Sequence, residues 1–242
     1  RDGDAYVLDG TKAFISGGGR SDLYVVMART GEAGPGGVSA FLVEAGTAGL
    51  SYGGQEQKMG WNSQPTCEVR FDSCRVPAGN RLGAEGEGFK IAMAGLDGGR
   101  VNIAACSLGG AAAALARART YAGEREQFGR PLADFQATQF KLADMATELE
   151  AARLLTWKAA AAMDAGDPER AVACAMAKRF ATDVGFRIVD EALQLFGGYG
   201  YIRDYGIERL LRDLRVHRIL EGTNEIMRLI IARRLLADGA RV

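Results

Sequence analysis

One carboxylate in this 242-residue chain has the setting of a proton-transfer group. Glu221 follows Ile219 and Leu220 and precedes Gly222, and next come Thr223 and Asn224, residue types that start helices by accepting backbone N–H bonds. Ile226, Leu229, Ile230 and Leu235 then recur at helical spacing, which puts Glu221 in a short loop at a helix start. Two readings fit. Glu221 is a base beside a glycine that lets backbone approach a bound molecule, or it is a surface glutamate in an ordinary helix-initiating turn.

A second stretch, Gln194-Leu195-Phe196-Gly197-Gly198-Tyr199-Gly200-Tyr201, sets three glycines at a predicted helix end, where backbone amides become open to a phosphate or a ring edge. Helix termination alone accounts for one or two of them, and the pattern by itself is a weak signal. Asp204, Arg209 and Asp213 follow, and Glu221 lies shortly beyond. Other chemistries find little support. The four cysteines, Cys67, Cys74, Cys106 and Cys174, are scattered and read as reduced, mostly buried thiols. With His217 the only histidine, no metal-ligand cluster is expected, and His217 itself reads as a local hydrogen-bonding residue. Thirty basic side chains balance thirty acidic ones without blocks of either sign, so neither nucleic acid nor a membrane surface is an expected partner. No apolar run reads as a membrane span.

The elements that must hold these residues fall into two parts, giving an α+β fold class. Residues 1–82 read as a partial antiparallel β-sheet or barrel domain, with strands at 5–8, 11–16, 23–28, 38–44 and 68–76 and a hairpin turn at Asp9-Gly10. Residues 83–242 read as an antiparallel four-helix bundle of three long helices, over 89–122, 135–166 and about 168–195, and a terminal one over 224–237, with a shorter helix over 207–215 ahead of the Glu221 loop. The chain opens at Arg1-Asp2-Gly3 without an initiator Met, directly before a strand, and further sequence is expected ahead of it.

The run from Gln194 through Gly197, Gly198, Gly200, Tyr201, Asp204, Arg209 and Asp213 resembles the C-terminal signature of the acyl-CoA dehydrogenase family, and the resemblance extends along the whole chain. Within the family, Lys12 to Gly17, Gly60 to Thr66 and Gly98-Gly99-Arg100 are most similar to the branch acting on isobutyryl-CoA. The resemblance implies FAD-dependent α,β-dehydrogenation of a short branched acyl-CoA, as in valine breakdown. It also implies electron-transfer flavoprotein as acceptor, a homotetramer built as a dimer of dimers, and a family N-terminal helical domain that this sequence lacks. The alanine, glycine and arginine richness looks bacterial, hence cytoplasmic; a eukaryotic relative would be in the mitochondrial matrix.

Site residues carry over by the same resemblance. Glu221 matches the catalytic base; the family's alternative position for that base, before Arg100, is Gly99 here. Phe14, Ile15 and Ser16 match the strand lining the flavin ring. Arg125, Gln127, Phe128 and Gln136 match one side of the FAD site shared between subunits, and Gln194, Leu195, Gly197 and Gly198 the other. Thr223 and Glu225 match residues closing over the cofactor, with helix capping an equal role for Thr223. Asp97, Arg100, Gly222 and Arg233 match substrate contacts; Arg233 reads equally as a solvated charge. No metal is implied. A flavoprotein oxidase and a non-catalytic helical interaction module stay open as other classes of function.

Overall fold

The computed structural model describes residues 1–237 and divides into two units, 1–95 and 96–242. In the first, β1 (Ala5–Ser16) and β4 (Leu50–Tyr52) flank β5 (Thr66–Pro77), and β2 (Leu23–Arg29) and β6 (Arg81–Leu82) flank β3 (Val38–Glu44), giving two three-stranded antiparallel sheets. Their inner faces share a core built from Tyr6, Leu8, Val69 and Val76 of one sheet and Tyr24, Val26, Phe41 and Val43 of the other. In β3, Ser39, Ala40 and Phe41 are consecutively buried, as the broken alternation of that stretch predicts.

Asp9-Gly10 is not a hairpin turn. Both halves of β1 pair with the same strand, β5, and the register shifts between Leu8 and Gly10, so the dipeptide forms a bulge. Asp9 Oδ1 accepts the backbone N–H of Ser73 at 2.7 Å, which ties the bulge to the facing strand. A second register shift, between Lys12 and Ile15, contains Phe14 at φ 56° with its ring 75% exposed.

The second unit takes most of α1 (Gly88–Glu124), then α2 (Gln136–Asp164), α3 (Arg170–Phe196), the short α4 (Gly198–Tyr201), α5 (Ile207–Leu214) and α6 (Asn224–Leu235). Ion pairs fix the helix directions. Lys141 with Glu191 and Glu148 with Arg187 (2.6 Å) make α2 and α3 antiparallel, and Asp183 with Arg228 (3.1 Å) and Glu169 with Arg234 (2.7 Å) do the same for α3 and α6. Small residues bring the helices close: a Cβ on Gly185 would lie 3.1 Å from the Ser107 carbonyl oxygen. Pro168 precedes α3, which starts at Arg170 after a turn in which Asp167 Oδ1 accepts the N–H of Glu169.

One expectation needs correcting. By length and composition α1 is apolar enough to cross a membrane, although no such run was expected. Its Ala104, Ala111, Ala114 and Ala118 are buried in the bundle core with Leu149, Val184 and Ile188. The cysteines are free, with Cys67, Cys74 and Cys174 buried and Cys106 exposed.

Candidate active site

Glu221 sits between a 3-10 turn over Arg215–Arg218 and the start of α6, in the loop its capping neighbours predict. Thr223 is the N-cap, its Oγ1 accepting the N–H of Ile226 at 3.3 Å. Glu221 (φ 55°) and Gly222 (φ 88°) are both left-handed. A non-glycine residue there costs on the order of 1–3 kcal/mol and persists where its surroundings fix it, commonly at functional positions. Among the described residues five non-glycine positions have positive φ, and three of them, Phe14, Phe128 and Glu221, are site positions that the family resemblance implies.

The surroundings that fix this turn are two buried cations. Arg100 of α1, 5% exposed, donates from Nε to the Glu221 carbonyl oxygen at 3.4 Å and from Nη1 to Asp97 Oδ1 at 2.8 Å. Lys178 of α3, fully buried, donates from Nζ to the Gly222 carbonyl oxygen at 2.7 Å and to Asn224 Oδ1 at 2.9 Å. Asn224 in turn donates from Nδ2 to Asp183 Oδ1 at 2.8 Å and Thr182 Oγ1 at 2.9 Å. Burial lowers the Lys178 pKa to about 8, with the Asp183 carboxylate opposing, so the ammonium persists at neutral pH. Sequence reasoning missed Lys178 and Asp183 and saw only a cap in Asn224. A signal was present: Lys178 lies on the helical stripe of Cys174, Ala181, Val184 and Ile188, where a lysine is out of place unless it has a buried task.

Gly99 of α1 faces the other end of Glu221. A Cβ at position 99 would lie 2.8 Å from the Glu221 carboxyl carbon and 3.3 Å from Oε1. At Gly98 the nearest atom would be Met163 Cε at 3.7 Å, an ordinary contact. The space at Gly99 is the seat of the carboxylate. Close by, His217 Nδ1 and Ser107 Oγ are hydrogen-bonded at 2.7 Å, and burial depresses the His217 pKa to about 4 against the opposing Asp213 carboxylate. His217 is therefore neutral near pH 7, the structural role expected of it.

Away from Glu221, a concavity of about 500 Å³ brings Arg125 and Gln127 together with Leu195, Gly197 and Gly198 on one face of the bundle. Arg125 lies over the Tyr199 ring at 5.4 Å. Gly197 takes φ 60° at the end of α3, and a Cβ on either Gly197 or Gly198 would meet nothing within 4 Å, so their backbone faces open space. The Gly197 N–H is taken by the Leu193 and Gln194 carbonyl oxygens, both at 3.1 Å, so the donors that fit a pyrophosphate here are the side chains, the Arg125 guanidinium and the Gln127 carboxamide. Gln127 belongs to the two-stranded β7 (Glu126–Gln127) and β8 (Arg130–Pro131), joined through Phe128 (φ 55°) and Gly129 (φ 80°), the left-handed pair that two-residue hairpins favour. The turn leaves the Phe128 ring 94% exposed.

The remaining residues fall as follows. Ile15 pairs with Cys67 and Ser16 with Thr66 on β5. Gln136 opens α2 and Gln194 lies near the end of α3, both exposed. Glu225, exposed in the first turn of α6, has its pKa lowered by its own backbone N–H and the Thr223 hydroxyl, so it joins the cap. Asp97 and Arg100 are turned inward onto each other, whereas Arg233 is exposed near the end of α6.

A two-sheet unit followed by a helical bundle, with a carboxylate fixed at the start of the last helix, defines a class. Residues 1–74 match the acyl-CoA dehydrogenase middle domain and residues 86–236 the acyl-CoA dehydrogenase C-terminal domain; the chain belongs to the acyl-CoA dehydrogenase family. It is similar to mitochondrial isobutyryl-CoA dehydrogenase from Dictyostelium discoideum, 59% identical over 98% of this chain and 58% of that protein. It is also similar to the Bos taurus mitochondrial isobutyryl-CoA dehydrogenase, 56% identical over 98% of this chain and 57% of that one. The solved structure of butyryl-CoA dehydrogenase from Megasphaera elsdenii superposes with a TM-score of 0.96 at 48% identity, covering 98% of this chain and 62% of that one. The chain thus spans somewhat under three fifths of the length of the two isobutyryl-CoA dehydrogenases it matches.

Proposed function

We propose that the whole protein to which this chain belongs is an FAD-dependent acyl-CoA dehydrogenase acting on a short branched acyl-CoA, with isobutyryl-CoA, oxidised to methacrylyl-CoA, its main substrate. The observation carrying this reading is the Glu221 carboxylate seated against Gly99 on a turn whose two carbonyls are held by Arg100 and Lys178. The identity to two isobutyryl-CoA dehydrogenases supports the acyl group.

Glu221 takes the α-proton of the acyl thioester. That C–H is weakly acidic, so charge developing on the thioester oxygen needs a donor, and the backbone N–H of Glu221 supplies one. Gly222 leaves room for the thioester beside the base. FAD, when bound, supplies the acceptor of the β-hydride. Arg125 and Gln127 would hold its pyrophosphate beside Gly197 and Gly198, two sets that the family resemblance puts on opposite sides of a shared site but that one chain brings to the same face, with Gln136, Gln194 and Leu195 toward the rest of the nucleotide and Thr223 and Glu225 at the start of α6. Phe14 offers an exposed aromatic wall and Ser16 a hydroxyl for a flavin ring, beside Ile15. The partner that would accept the electrons from the bound cofactor is an electron-transfer flavoprotein, and the assembly would be a homotetramer. In a eukaryotic cell the matching compartment is the mitochondrial matrix; in a bacterium it is the cytoplasm.

The test is a visible spectrum of the full-length protein, followed by anaerobic mixing with isobutyryl-, 2-methylbutyryl-, butyryl- and isovaleryl-CoA. A yellow protein bleached fastest by isobutyryl-CoA is expected. A colourless protein contradicts the flavoenzyme reading, and reduced flavin that reoxidises rapidly in air would make it an oxidase instead.

A further inference from the structure

We propose that Lys178 is a positioning residue for the base: its ammonium clamps the Glu221-Gly222 turn to α3, so that the Glu221 carboxylate stays in the space left by Gly99. The inference rests on Glu221 being the base. Lys178 is fully buried, and its bond to the Gly222 carbonyl oxygen, at 2.7 Å, falls on the residue next to the carboxylate. Its second bond, to Asn224 Oδ1 at 2.9 Å, ties the same ammonium to the first residue of α6. The clamp is anchored, since Asn224, 2% exposed, is held by Thr182 and Asp183, and Asp183 is held on its other oxygen by Arg228 at 3.1 Å.

A lysine buried among alanines is costly to desolvate, and a helix core needs none, so its retention calls for bonds that an apolar residue cannot make. Two adjacent left-handed residues, at φ 55° and 88°, form a turn that relaxes toward ordinary backbone once its carbonyls are released. Arg100 holds only the first carbonyl, at 3.4 Å. Releasing the second lets the Glu221 side chain swing away from Gly99, while the flavin pocket near Gly197 keeps its lining.

The test uses the full-length holoenzyme with Lys178→Met, which keeps length and removes the ammonium, and Asn224→Ser, which loosens the clamp without deleting a charge. For Lys178→Met, kcat should fall by ~100-fold, the scale of an ångström-level misplacement of a reacting group. KM for isobutyryl-CoA and flavin content should stay within about threefold and Asn224→Ser should lie between the two proteins, as expected when an orienting contact and not uniform binding is lost. A 3-thia acyl-CoA, which can lose its α-proton but not a β-hydride, should give its long-wavelength flavin absorption in the parent and little in Lys178→Met. An unchanged kcat in Asn224→Ser together with an unchanged 3-thia spectrum in Lys178→Met overturns the clamp; so does a kcat loss that only tracks loss of flavin. If Lys178→Met does not fold, Asn224→Ser decides alone by the same kcat and spectrum. Glu221→Gln run in parallel separates the failures: normal turnover there removes the base assignment, whereas an inactive Glu221→Gln beside a fully active Lys178→Met removes only the clamp.

Discussion

The carboxylate of Glu221 occupies the space that a side chain at position 99 would need. A Cβ there would approach the Glu221 carboxyl carbon to 2.8 Å, closer than real Cβ atoms come to other atoms. Gly99→Ala must therefore displace the carboxylate or push α1 aside, and the flexible end of Glu221 gives first. The mutant is expected to fold and bind flavin while kcat with isobutyryl-CoA falls by up to ~100-fold. Steady-state kinetics on the full-length enzyme check this; an unchanged kcat would show that the carboxylate does not work from this seat.

The Asp97–Arg100 pair is a stability element before it is anything else. Both residues are buried, 8% and 5% exposed, and Arg100 also holds the Glu221 carbonyl. Removing one partner leaves an uncompensated buried charge, so Asp97→Ala should cost about 3–5 kcal/mol in urea unfolding. A loss under ~1 kcal/mol, the size typical of exposed pairs, would contradict that assignment.

His217 gives the fold a pH dependence of known sign. Burial depresses its pKa from 6.5 unfolded to about 4 folded, so the unfolded state binds more protons across that window. The stability tied to neutral His217 is complete above pH 6.5 and is lost as pH falls through the window toward 4, reaching about 3 kcal/mol at most. Urea midpoints of the parent and His217→Gln measured from pH 7 to 4 should converge as the pH drops; parallel curves would show that His217 does not titrate with unfolding.

What was legible in the sequence follows from how local each cause is. The loop placing Glu221 ahead of α6 depends on Thr223 and the spacing of Ile226, Leu229 and Ile230, all within a few turns, and the structure agrees. The three long helices and the longer strands were legible for the same reason, whereas β4 and β6 and the division into two sheets were not, because they depend on pairing across the chain. Asp9-Gly10 was not, because a bulge and a hairpin turn use the same dipeptide and only pairing across to β5 tells them apart. The Gly222 clamp depends on Lys178, remote in sequence and brought in by the packing of α3 against α6. Gly99 was visible as a gap, but nothing in sequence says which side chain fills it.

The central claim is that Glu221 removes the α-proton. In full-length enzyme carrying Glu221→Gln, anaerobic isobutyryl-CoA should still bind, while the rate of flavin bleaching falls by about 10²- to 10⁴-fold, the usual contribution of a positioned general base. Bleaching at the parent rate would contradict the account.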